Sequence, residues 1–122
     1  MGARSTAGLL LLAACAAGLT GARTAVAADT ITGEIVDLAC YMHDPETGRG
    51  AAHRKCADTC LKKGMPIGLL TDDKQVYLLL EDHDNPKAYA AALAKAAQQA
   101  NVEGDKVNLG GVQGIVVESV IE

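Results

Sequence analysis

The chain has 122 residues and a formal net charge of −4, and 49% of its residues are hydrophobic while only 2% are aromatic. Two of the eleven basic residues precede residue 28, so residues 28–122 hold nine basic and fifteen acidic side chains, a formal net charge of −6. Such an acidic domain is repelled by phosphate backbones, and it has no Phe or Trp on which bases could stack. We therefore exclude nucleic acid as a predicted partner.

The first 27 residues have the pattern of a signal peptide. Arg4 supplies a short basic region, residues 7–19 form an apolar segment too short to span a bilayer, and Ala25-Val26-Ala27 is a typical cleavage site. The pattern predicts a periplasmic or secreted protein that begins at Ala28 and keeps no integral membrane segment after processing. As an alternative, Leu12-Ala13-Ala14-Cys15 resembles a bacterial lipobox, which would anchor a lipoprotein through Cys15.

Residues 28–122 are enough for one domain with a single modest core. The β-branched residues 29–36 predict a first strand, with a bulge or bend at Gly33. An insert follows at residues 38–65. It consists of a loop rich in turn-forming residues and then a helix over about residues 51–63, which Gly64 caps.

The second half of the chain predicts four more strands and one more helix. Residues 66–71 and 75–80 form a hairpin, a helix then begins at Pro86 and runs to about residue 100, where Asn101 caps it, and residues 102–109 and 115–121 are the last strands. We therefore predict a mainly β fold with two helices. Five strands with a helix between the third and fourth indicate a five-stranded OB-like barrel, and an α+β split sheet is the alternative.

The insert concentrates residues that bind soft metal ions. It contains every cysteine after residue 28 and two of the three histidines. In a helix, His53, Cys56 and Cys60 stand at i, i+3 and i+7 on one face, and Cys40 enters from the preceding loop. Three thiolates and an imidazole suit tetrahedral zinc and also copper(I). The spacing predicts one zinc or copper(I) ion held by Cys40, His53, Cys56 and Cys60, with His43 as an additional candidate ligand.

Disulfide chemistry is the alternative for the same cysteines. Cβ atoms at i and i+4 of a helix stand about 5–6 Å apart, whereas a disulfide needs about 3.5–4.5 Å, so Cys56 and Cys60 would pair only by distorting the helix. Cys40 could bridge to either of them. Two alternatives to a metal-binding protein therefore stay open, a periplasmic thiol redox protein and a disulfide-stapled structural or interaction module. No catalytic constellation stands out, so we predict a non-enzymatic protein.

Four parts of the chain combine into a larger pattern. They are Thr32-Gly33-Glu34-Ile35-Val36-Asp37, Cys40, His53-x-x-Cys56-Ala57-x-x-Cys60, and Gly64-x-Pro66-Ile67-Gly68-Leu69-Leu70. The pattern resembles a group of small exported bacterial OB-like proteins, over most of residues 28–122, and the Cys/His insert is its specific part. The resemblance implies an exported OB-like domain with a metal or redox insert, and it implies no particular activity.

Overall fold

The computed structural model describes Gly2 and residues 27–121. The basic and apolar regions of the predicted signal peptide and the lipobox cysteine Cys15 lie outside these residues. Within them, no helix has the length and apolar character that crossing a lipid bilayer requires.

The described residues form five strands, three α-helices and a short 3₁₀ helix. In chain order these are β1 (Asp29–Asp37), α1 (Leu38–His43), the 3₁₀ helix (Ala51–His53), α2 (Arg54–Lys62), β2 (Ile67–Leu70), β3 (Val76–Glu81), α3 (Pro86–Leu93), β4 (Gln99–Leu109) and β5 (Val112–Ile121). The mainly β composition and the helix between the third and fourth strands confirm the prediction. The prediction of two helices is wrong, because a six-residue helix such as α1 is too short to show a helical period.

The five strands form one sheet that closes into a ring in the order β1-β2-β3-β5-β4. Neighbouring strands are antiparallel except for β3 and β5, which are parallel. β1 pairs with β4 through residues 29–34 and with β2 through residues 34–37, so these two pairings join the ends of the sheet. The predicted hairpin of β2 and β3 is confirmed.

The main core joins apolar side chains from all five strands. Its fully buried strand residues are Ile35, Ile67, Leu69, Val102, Ile115 and Val117, and β3 adds the buried Leu79. α2 and α3 add mostly small side chains to this core, so the helices lie close to the sheet. A second, smaller cluster of Val36, Tyr41 and Leu70 packs α1 against β1 and β2. The insert is thus attached to the sheet by few large side chains.

The helix predicted to run from Pro86 to about residue 100 ends at Leu93. Ala97 has a φ of 55°, and its N–H donates to the carbonyl of Ile35 (2.8 Å), while the N–H of Ile35 donates to the carbonyl of Gln98 (2.9 Å). These bonds to β1 lead the chain into β4 and outweigh the helix propensity of alanine. Asn101 consequently lies inside β4 and caps no helix.

Gly33 does not form the predicted bulge. It pairs in regular register with Ala100, and the irregularity of the sheet lies between Glu103 and Gly104 of β4. A Cβ atom at Gly33 would stand 2.5 Å from the main-chain oxygen of Leu70. Glycine is therefore needed because β1 and β2 approach closely at this point.

We expect Gly33→Ala to lower the free energy of unfolding by about 1–3 kcal/mol, because the added methyl group must displace the backbone of β2. Urea denaturation measures the change. Thr30→Ala, at an exposed residue of the same strand, is the control and should change the free energy of unfolding by less than about 1 kcal/mol. Equal losses in the two variants would contradict the role of the close approach.

Candidate metal centre

The site begins where β1 ends. Asp37 is the last residue of this strand and is fully buried, and its Oδ1 accepts hydrogen bonds from the main-chain N–H groups of Ala39 (2.9 Å) and Cys40 (3.4 Å). A carboxylate in this position is a strong N-cap, so α1 starts directly after the strand. Tyr41 packs against Val36 and fixes this helix on the sheet. Together the cap and the packing determine where Cys40 lies.

The loop between α1 and the 3₁₀ helix is held by two carboxylates. Asp44 accepts hydrogen bonds from the N–H of Glu46 (3.1 Å), the N–H of Thr47 (3.3 Å) and the hydroxyl of Thr47 (2.7 Å). At the end of the loop, the N–H of Gly50 donates to the Glu34 carboxylate of β1. The loop is thereby tied to the sheet just before the chain enters the 3₁₀ helix and α2.

α2 carries two cysteines beside its buried face. Ala57 and Leu61 are buried in the main core, whereas Cys60 is half-buried and Cys56 is exposed. The two cysteines are one helical turn apart, so their side chains lie on the same side of the helix. Their Sγ atoms and the Sγ of Cys40 all lie within 4.8 Å of one another, and the three residues are free thiols.

This three-thiol group confirms the predicted cysteine cluster. Sulfur ligands of a tetrahedral zinc ion stand about 3.8 Å apart when each Zn–S bond is about 2.3 Å long. Thiols that already lie within 4.8 Å of one another need only a small closing movement to reach this spacing. The group could therefore bind a metal ion, and its sulfur atoms favour a soft one.

A second group of potential ligands shares Cys40 with the first. An oxygen of Asp37, the Sγ of Cys40 and a ring nitrogen of His53 also lie within 4.8 Å of one another. Asp37 Oδ2 and His53 Nε2 are buried, and neither has a hydrogen-bond partner of ordinary distance and angle. Leaving a buried polar atom unpaired costs about 1–3 kcal/mol. Two such atoms beside one thiol indicate a binding position.

The structure divides the predicted set of four ligands between these groups. Cys56 and Cys60 join Cys40 in the first group, and His53 joins it in the second. His53 belongs to the 3₁₀ helix and precedes α2, so its side chain does not continue the line of α2 cysteines in the way a single α-helix would place it. The assignment of these four residues as ligands stays a prediction. His43 is exposed at the end of α1, in neither group, and stays a predicted ligand only.

Asp37 is a candidate ligand that the sequence analysis did not identify. The predicted strand stops one residue before it and the predicted connection to Cys40 is a loop. The available signal was an Asp at the end of a β-branched strand, in the position of a helix N-cap. Recognising Asp37 as a helix N-cap would have predicted α1 and would have placed the Asp37 carboxylate close to Cys40.

The charges of the site oppose ionisation of the thiols. The Asp37 carboxylate attracts the thiol proton, although not at the distance and angle of an ordinary hydrogen bond, and this raises the pKa of Cys40 from 9.0 to about 12, together with burial, the negative charge of Asp37 and the neighbouring Cys56. The same causes raise the pKa of Cys60. At neutral pH these thiols keep their protons unless a cation replaces them. A metal ion supplies that positive charge and binds the thiolates directly.

Comparisons with models of known protein families, with curated proteins and with solved structures found no match to this chain.

We expect Glu34→Ala to loosen the loop at residues 44–50 and to lower the free energy of unfolding by about 1–3 kcal/mol, because the variant loses a hydrogen bond to a charged group. Urea denaturation measures the loss, and limited proteolysis tests whether cleavage concentrates in this loop. Glu46→Ala, at an exposed carboxylate of the loop, is the control. A loop that stays resistant to protease in Glu34→Ala would contradict the role of this hydrogen bond.

In the reduced, metal-free protein, we expect the free energy of unfolding to fall as the pH rises from about 9 towards 12. The pKa of Cys40 is about 12 in the folded state against an ordinary value of 9.0, so the folded protein holds this proton more tightly than the unfolded chain. That stabilisation is fully present below pH 9.0, the ordinary pKa, and is lost as the pH rises towards about 12, the pKa in the folded protein.

Urea denaturation in steps of pH measures this dependence. Asp37→Asn replaces the carboxylate that attracts the thiol proton and repels the thiolate, so it should lower the pKa of Cys40 and make the decline shallower. Identical pH profiles for the two proteins would contradict the explanation.

Proposed function

We propose that this protein is a small exported metal-binding protein that holds zinc or copper(I) in the insert at residues 38–65 and has no enzymatic activity. The observation that carries this proposal is the meeting of three thiol groups, from two different helices, within 4.8 Å. Cys40 comes from α1, and Cys56 and Cys60 come from α2. Thiolate groups in this number and spacing are the ligands that zinc and copper(I) prefer.

The exposure of the cysteines favours a metal site over ordinary core packing. Free cysteines that only fill a core are usually among the most buried residues. Here Cys56 is exposed and Cys60 is half-buried, while Ala57 and Leu61 make the contacts of α2 with the core. Packing of the core therefore does not explain the positions of these two cysteines.

The electrostatics of the thiols favour metal binding over thiol–disulfide exchange. A redox protein needs a thiolate that attacks at neutral pH, and such thiols have a lowered pKa. The pKa values of Cys40 and Cys60 are raised instead, first of all by the Asp37 carboxylate. A carboxylate in this place hinders a nucleophile, whereas it assists a site that must attract a cation.

The ion would fix the insert onto the sheet. α1 is attached mainly through the small cluster of Val36, Tyr41 and Leu70, and α2 mainly through Ala57 and Leu61. A metal ion bound by Cys40 and the α2 cysteines would link the two helices directly. Binding free energy then becomes folding free energy for this part of the chain. His53, beside Cys40, is the remaining ligand that we propose in the insert.

The same proposal includes an OB-like barrel and export of the protein. The order of strands in the ring, the parallel pair of β3 and β5, and the position of α3 between β3 and β4 support the first. The signal-peptide pattern of residues 1–27 supports the second. A bound ion would also keep three thiols reduced in an oxidising compartment, since sulfur bound to metal does not pair readily into disulfides.

The test is a count of metal ions and thiols on the same sample. We expect the full chain, purified without chelator or added metal, to carry at least about one zinc or copper ion per chain, and its thiols to react only after chelation. Elemental analysis and a thiol-reactive dye measure the two quantities.

Cys56→Ser should lower the metal content clearly, because it removes one of the three thiolates, and His83→Gln, on an exposed histidine that is not a predicted ligand, is the control. Protein that holds no metal and has two cysteines oxidised to a disulfide would overturn the proposal. The insert would then be stapled by a disulfide.

A further inference from the structure

The ligands around Cys40 are more numerous than one tetrahedral ion can use. Two groups of potential ligand atoms meet at this residue, the thiols of Cys56 and Cys60 on one side, and Asp37 and His53 on the other. Among the described residues, each group is compact by itself, within 4.8 Å, and Cys40 is the member that they share. A thiolate can bridge two metal ions because its sulfur has more than one lone pair to donate.

The Asp37 and His53 side contains both buried polar side-chain atoms that lack a partner among the described residues. Asp37 is fully buried, yet only its Oδ1 is used, as the cap of α1. Its Oδ2 and the Nε2 of His53 have no hydrogen-bond partner. An unpaired carboxylate in such a place is costly unless a cation lies against it.

The charges of the ligands indicate how many ions the cluster can accept. With the thiol protons displaced by metal, the cluster has one carboxylate and three thiolates, hence four negative charges. One divalent ion would leave two negative charges in a partly buried place. Two divalent ions would balance these four negative charges.

We propose that the insert binds two divalent ions of the zinc type, one at Cys40, Cys56 and Cys60 and one at Asp37, Cys40 and His53, with the Cys40 sulfur as a bridge. This inference deepens the proposed function and rests on it. Binding of the two ions releases the three thiol protons to solvent, and His53 would bind through a ring nitrogen that carries no proton. The remaining positions of each ion are filled by water.

The proposal is tested by counting ions in variants that change one ligand and keep the fold. Asp37→Asn removes the negative charge but keeps the α1 cap, because Asn caps helices about as well as Asp. His53→Gln removes the imidazole. Their controls are Asp44→Asn, at a carboxylate of the same insert, and His83→Gln, at an exposed histidine after β3, because neither residue belongs to a ligand group.

The full chain is expressed, reduced, stripped of metal and titrated with Zn²⁺, and native mass spectrometry counts the ions. We expect saturation at about two ions per chain in the unchanged protein and in both controls, and at about one ion in Asp37→Asn and in His53→Gln. Co²⁺ gives a second measurement, because a bridging thiolate couples the spins of two Co²⁺ ions. The two-cobalt form should therefore give a weaker electron paramagnetic resonance signal than two isolated ions.

Two results would overturn the proposal. One is saturation of the unchanged protein at a single ion; the other is retention of two ions by both Asp37→Asn and His53→Gln. In the first case the proposed function stands with a mononuclear site. If the unchanged protein takes up no ion at all, the proposed function fails together with the two-ion cluster, so the failures of the two proposals are distinguishable.

Discussion

The buried carboxylate of Asp37 is the constraint on which the insert depends. One of its oxygens caps α1, so the helix starts directly after β1 and determines the position of Cys40. The other oxygen has no partner of ordinary hydrogen-bond geometry and lies beside the Cys40 thiol. An uncharged cap would serve the helix equally well. The carboxylate therefore matters for the site, where it raises the pKa of two thiols, first by attracting their protons and further by its charge, and makes a cation the natural partner. One side chain thus links the local fold to the chemistry of the cluster.

Much of the fold follows from local sequence patterns, and the exceptions have identifiable causes. Alternating β-branched residues and turn residues predict the five strands, and Pro86 correctly predicts the start of α3. The end of α3 is set by main-chain bonds of Ala97 and Gln98 to β1, which no local pattern contains. The parallel pairing of β3 with β5, which completes the ring, likewise depends on contacts between distant parts of the chain.

Part of the candidate site also follows from local sequence patterns, and part of it does not. The spacing of Cys56 and Cys60 predicts two thiols on one side of a helix, and the concentration of cysteines in the insert correctly predicts that Cys40 joins them. Helical spacing treats His53 as part of that face, but a 3₁₀ helix carries it and brings it to Asp37 instead. Asp37 itself could be identified only from its role as a cap, since an isolated Asp has no spacing that indicates a ligand.

The divided pairing of β1 has a consequence for the order in which the chain folds. Its later half pairs with the nearby β2, with residue 37 opposite residue 67. Its earlier half pairs with β4, which lies much later in the chain, with residue 29 opposite residue 104. Pairings between nearby segments lose less chain entropy and form sooner. We therefore expect β1, the insert and β2 to assemble first as a folding nucleus that already contains the cysteine cluster. Closure of the ring would then be the slow step of folding.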